Sequence, residues 1–188
     1  MSANARTFLK ALYGFDATVR RIDATMWSNP SPCDGWEARH VLTHNLEMNH
    51  MVIGFTNGIG AKRPAAISDD PVAGWPTAFE ELQQRLDTEG SLQTIAETPW
   101  GEMPVDKFLG FAWVDPLIHT WDLAMATGQP PILDAELVER AYRQLVRAGD
   151  SLRGPGAFGP AVEETEDMSV TDRFIAISGR NPRWAPPV

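Results

Sequence analysis

A carboxylate and an imidazole spaced one helical turn apart can share a divalent ion, and this chain carries such a pair. In WVDPLIHTWDLA (113–124), Asp115 stands four residues ahead of His119. At roughly 100° per residue, a helix sets such a pair within about 40° of each other on one face. Both can then reach one ion, as the two histidines of a His-x3-His site do. Asp122 falls on the same stripe, about 60° from His119. It can accept an N–H from a ligand imidazole and so orient it; a salt bridge to Arg39 or Arg173 is the plainer use of that carboxylate. Two ligands from one helix need a third from a helix facing it, as in di-metal carboxylate bundles. An earlier stretch offers His40, His44 and His50. His40 and His44 are also i, i+4, while His44 shares a face with Val41, Met48 and Met51, which argues that it points inward. Spacing alone also fits ordinary structure: a histidine on an apolar face is commonly a satisfied core residue, and an Asp–His pair at i, i+4 a hydrogen bond.

The other reactive side chains narrow the chemistry. The one cysteine, Cys33, excludes an intrachain disulfide and a thiolate metal cage, so any metal is held by histidine and carboxylate. Cys33 itself reads as a small packed residue rather than a nucleophile. Trp36, Trp113 and Trp121 can wall a pocket or simply fill a core. Arg180 and Arg183 can bind a substrate carboxylate, with a solvated or structural role as the plainer reading.

Helices must position these groups. Phe8, Leu9, Leu12, Phe15, Val19 and Ile22 predict a long first helix over 3–26, ended by the turn-rich SNPSPCDGW (28–36). Asp34, with Glu37 three residues on, is expected to cap a second helix over 36–57. NGIGAKRP breaks the chain, and a third amphipathic helix is expected over 71–89. TIA and MPV around PWGE (99–102) predict a short hairpin or an extended insertion. A fourth helix is expected over 105–127, kinked or locally broken at Pro116 and stopped by Gly128. A fifth is expected over 134–151. The remainder, 151–188, is Gly- and Pro-rich, then acidic, then briefly helical near 169–179. It reads as an extension packed back through Phe158, Val162, Phe174 and Trp184. The fold class is all-α: one domain over 1–188, a four-helix bundle with additions.

Composition excludes several functions. A formal net charge of −9 repels phosphate backbones and anionic membrane surfaces, so neither nucleic acid nor membrane is an expected partner. No apolar run approaches the roughly 20 residues of a membrane span. The charged, polar start MSANARTFLKALYGFD does not read as a signal peptide, so a cytoplasmic location is expected.

The segments SPCDGWEARHVLTHN, DPLIHTWDLAMATG and DRFIAISGRNPRW resemble an actinobacterial branch of the DinB-like superfamily, which includes the metal-binding N-terminal domain of mycothiol-dependent maleylpyruvate isomerase. The resemblance runs over nearly the whole chain. It implies a DinB-like four-helix bundle holding one divalent ion through a histidine on the second helix and a (Glu/Asp/His)-x3-His pair on a later one. By position these are His44, Asp115 and His119; His40 and His50 fall elsewhere. Asp115 departs from the longer glutamate of the isomerase, and Pro116 follows it. Three protein ligands leave coordination positions open, as in catalytic sites. Histidine and carboxylate suit Zn, Ni, Fe or Mn. The resemblance further implies a low-molecular-weight thiol such as mycothiol, whose thiolate adds to an electrophilic small-molecule substrate. A metal-dependent thiol S-transferase or isomerase is the leading expectation. The isomerase's second domain has no counterpart in this length of chain, so maleylpyruvate itself is not the expected substrate. A non-catalytic metal- or small-molecule-binding bundle is the alternative, and a structural helical interaction protein with a buried His–Asp network is a third reading. The superfamily often dimerises through helix faces, so a homodimer is compatible with the resemblance.

Overall fold

Helical periodicity dominates the structure, a computed structural model that describes residues 1–60, 70–153 and 158–186. The described residues are mostly helical, with one two-stranded sheet. In order they form α1 (Ala3–Val19), α2 (Ala38–Thr56), α3 (Pro71–Asp87), β1 (Ile95–Thr98), β2 (Gly101–Pro104), α4 (Val105–Ala112), α5 (Val114–Ala126), α6 (Ala135–Ala148) and α7 (Val170–Ile177). Residues 61–64 of the expected break after the second helix, and 154–157 of the Gly- and Pro-rich segment, lie outside the described residues.

Local chemistry corrects several expected boundaries. The first helix stops at Val19, short of 26; beyond it Asp23 accepts the Thr25 backbone N–H at 2.9 Å and caps a separate 3-10 turn, Ala24–Met26. Asp34 does not begin α2. It lies in a tight turn closed by Trp36 N–H to Cys33 C=O at 2.9 Å, with Gly35 in the left-handed region at φ 72°. The expected fourth helix is two. A proline has no N–H to donate and its ring crowds the carbonyl four residues back. For Pro116 that carbonyl is Ala112, where α4 ends, and Pro116 then falls in the first turn of α5, where a missing donor costs little. Gly128 (φ 65°) terminates α5 with the paired backbone bonds Gln129 N–H to Ala124 C=O (2.9 Å) and Gly128 N–H to Met125 C=O (3.3 Å).

The chain divides into two units. The first comprises Met1–Tyr13 and Arg39–Pro116. Its core includes Trp75, Phe79, Leu82 and Leu86 along one face of α3, with Trp75 stacked on Phe79 at 5.7 Å. Phe55 of α2 meets Phe108 of α4 edge-on at 5.2 Å. Asn4 donates to the Asp106 carboxylate at 3.1 Å and Ser2 also hydrogen-bonds it, tying the start of α1 to the first turn of α4. The hairpin is antiparallel, with Ile95 opposite Pro104 and Thr98 opposite Gly101.

The second unit comprises Gly14–Ala38 and Leu117–Val188. There α7 packs against α6. Asp134 caps α6 through the Leu137 N–H at 3.0 Å, and Ser169 with Asp172 forms a capping box at the start of α7. Of the four residues expected to anchor the extension, Phe174 is fully buried, while Phe158, Val162 and Trp184 are partly so.

Candidate metal centre

In the first unit, His44 lies in the second turn of α2 and Asp115 in the first turn of α5. His44 Nε2 is 3.2 Å from Asp115 Oδ1 and 3.1 Å from Oδ2. Both side chains are partly exposed, at 32% and 27%. Donors bound to one tetrahedral ion at about 2.0–2.1 Å stand about 3.3–3.4 Å apart. The pair therefore fits two ligands of one ion, and equally an ion-paired hydrogen bond. An imidazole nitrogen and a carboxylate also match the donor chemistry of Zn, Ni, Fe or Mn. His40 is exposed and His50 is half-buried.

In the second unit, a buried polar network surrounds His119, which α5 carries one turn beyond Asp115. His119 Nδ1 is 2.9 Å from Asp122 Oδ2. Asp122 is fully buried, and Arg180 grips it with two donors, Nε to Oδ1 at 3.3 Å and Nη2 to Oδ2 at 3.0 Å. This two-pronged contact suits the planar guanidinium. The Cys33 thiol donates to Asp122 Oδ2 at 3.2 Å, and its sulfur lies 3.5 Å from Arg180 Nη2. The indole of Trp36 stacks on the His119 ring, centroids 6.0 Å apart and planes 16° from parallel. Trp121 and Trp113 are buried on or beside α5.

The reach of Arg180 depends on one glycine. Gly179 follows α7 at φ 84°, and the paired bonds Arg180 N–H to Ile175 C=O (3.1 Å) and Gly179 N–H to Ala176 C=O (3.0 Å) close the helix. That closure turns the chain so that the very next side chain meets Asp122.

Charge in the network is fixed by proximity. Burial pushes the Asp122 carboxyl up, but the Arg180 charge and the hydrogen bond from His119 outweigh it and hold the group below its usual range. Burial opposes the Arg180 charge, and Asp122 more than restores it. Burial first, and the Asp122 charge second, push the Cys33 thiol up to about 12. With Asp122 ionised, the proton of a neutral His119 is held on Nδ1, and Nε2 carries the lone pair.

Cys33, His119 and Asp122 also present donor atoms within 4.8 Å of one another. A cation is already there: the Arg180 guanidinium bonds Asp122 and touches Cys33, and a dication among the same atoms would face that charge. This cluster is a salt-bridged network rather than a metal cage.

Arg39 and Arg173, the cations expected for Asp122, are engaged elsewhere. Arg39 pairs with Asp70 at 3.5 Å and Arg173 lies 3.8 Å from Glu164. The partner is Arg180, a residue the sequence offered as a substrate ligand; Arg183 is exposed. The involvement of Cys33 was missed as well. Cys33 and Arg180 are 147 positions apart, so no local spacing could have joined them.

The family described as mycothiol maleylpyruvate isomerase N-terminal domain matches residues 8–124. Two relatives, uncharacterised proteins from two strains of Mycobacterium tuberculosis, CDC 1551 / Oshkosh and ATCC 25618 / H37Rv, are each 30% identical over 178 residues, covering 93% of this chain and 96% of theirs. No solved structure matches significantly.

Proposed function

Because the chain belongs to the family of the mycothiol maleylpyruvate isomerase N-terminal domain, we propose that His44, Asp115 and His119 hold one divalent ion and that the protein is a metal-dependent thiol S-transferase or isomerase. The observation that carries this reading is the approach of His44 Nε2 to Asp115 on a helix whose next turn bears His119, with its Nδ1 already committed to Asp122. The proposed architecture is one DinB-like four-helix bundle over 1–188, with 151–188 as its extension, in a cytoplasmic protein. Among the described residues no helix is long and apolar enough to cross a membrane.

A bound divalent ion with open positions supplies Lewis acidity, lowering the pKa of a thiol or water beside it. The chain's own residues do the rest. Asp122 keeps the His119 proton on Nδ1, so that Nε2 is the nitrogen offered to the ion. Arg180 balances the Asp122 charge, which keeps that carboxylate ionised and would hold it back from an ion bound at His119. Trp36 lies in an offset stack beside the His119 ring and helps fix its plane. Asp115 is a shorter arm than glutamate, and its position in the first turn of α5 sets how far it reaches. The substrate chemistry is that of an electrophile attacked by a low-molecular-weight thiolate.

The test is a thiol-consumption screen against epoxides, Michael acceptors and alkyl halides, run on metal-loaded and chelated protein with mycothiol as the thiol. Metal-dependent consumption in one class is the expected result. A metal-loaded protein that consumes no thiol in any class is a metal-binding protein without this activity.

A further inference from the structure

An open cleft of about 500 Å3 lies in the second unit, built chiefly by the loop that precedes α2. Trp36, Trp184 and Pro30 give it apolar walls, and Asp34 and Glu37 give it two carboxylates. None of its lining residues is Lys, Arg or His. We propose that this cleft binds a small organic cation, seating an ammonium or quaternary ammonium group against the indoles of Trp36 and Trp184 with Asp34 and Glu37 as counter-charges.

Three physical arguments select that class. The face of an indole is electron-rich and attracts a cation lying over it. The formally charged groups among the lining residues are carboxylates alone, which favours a cation over a carboxylate or phosphate ligand. A neutral ligand would strip water from the two carboxylates without returning a charge, so it gains less than a cation of the same shape.

The cleft is also held in shape. The backbone bonds Ser31 N–H to Trp36 C=O (2.8 Å) and Ala38 N–H to Asn29 C=O (2.8 Å) close the loop on itself. The Asn29 amide donates to the Ala126 carbonyl at the end of α5 at 3.0 Å, and Trp184 N–H bonds Asn181 C=O at 2.9 Å. A preformed cleft spares a ligand the cost of ordering the loop. Trp36 joins the cleft to the His119 ring, so an occupant sits one aromatic ring away from that histidine. The binding itself does not depend on a metal.

The experiment is calorimetric titration of the full chain with choline, its neutral isostere 3,3-dimethylbutan-1-ol, the anion 3,3-dimethylbutyrate and the polyol inositol, with and without chelator. Saturable choline binding is expected in both conditions, with the isostere about tenfold weaker or more and the anion weaker still. The paired change Asp34→Asn with Glu37→Gln keeps the volume and removes the charge, and is expected to cost choline about tenfold or more in affinity. Circular dichroism confirms that the variant is folded. Absence of choline binding at millimolar concentration, equal binding of the isostere, tighter binding of the anion or of inositol, or undiminished choline affinity in the variant each overturns the proposal. Because chelated protein gives the same reading, failure here is separable from failure of the metal centre.

Discussion

Asp122 and Arg180 set the electrostatics around His119, and their removal has unequal expected consequences. Arg180→Met leaves a buried carboxylate without its cation, which typically costs 3–5 kcal/mol. Urea unfolding should show a loss of that order, and a loss below about 1 kcal/mol would show that another group balances Asp122. The pH dependence follows from the same pair. Asp122 is held below its usual range when folded, so the unfolded chain binds more protons across that window. Its contribution is present above the unfolded value of about 3.9 and is lost as pH falls through the folded value. In metal-free protein, Asp122→Asn should flatten the fall in stability below about pH 4; an unchanged acid limb would place the titrating group elsewhere. The Cys33 thiol, pushed up to about 12, should resist iodoacetamide at pH 8 in folded metal-free protein and react readily in urea. Equal rates would mean that the thiol is not held as described. Asp122 beside His119 was readable from helical phase, because three residues along a helix is a geometric statement. Arg180 was not, because only the tertiary fold brings it 58 positions back to Asp122.

At the scale of elements, the helices were legible wherever an apolar stripe met a clear stop. Gly128 and the hairpin around Pro99 and Trp100 fell where turn chemistry places them. Boundaries went wrong where two signals competed. Ile22 continues the apolar spacing of α1, but Asp23 offers its side chain to a new turn and wins. Asp34 and Glu37 imitate a capping box, but Gly35 between them takes a left-handed conformation and makes a tight turn instead. Pro116 was read as a kink or a local break; the local break is what forms, and it falls after Ala112, whose carbonyl the proline ring would meet. Gly179 supplies the element-level prediction. An added Cβ would stand 3.1 Å from the carbonyls of Gly159 and Pro160, and φ 84° is strained for any other L-residue. Gly179→Ala should therefore cost about 1–3 kcal/mol and loosen the Arg180 contact. Thermal unfolding at unchanged midpoint would contradict the role given to this turn.

For the molecule as a whole, the helical class, the small hairpin and the family were all within reach of the sequence, since each rests on periodicity or on ordered motifs. The division into two units was not, because it depends on which distant segments meet. A formal charge of −9 sets a long-range field that favours the approach of cations over that of polyanions. The central claim is that His44, Asp115 and His119 hold a divalent ion, and a ligand bound only by the folded state at about 100 times its Kd should stabilise it by about 2.7 kcal/mol. The most direct measurement is elemental analysis of the purified protein, repeated after chelation and re-addition of metal, on the parent chain and on His44→Ala and His119→Ala. The expected result is about one divalent ion per chain, restored on re-addition, and lost in both variants while they remain folded. A parent chain that neither retains nor rebinds metal, or folded variants that bind it undiminished, would contradict the claim.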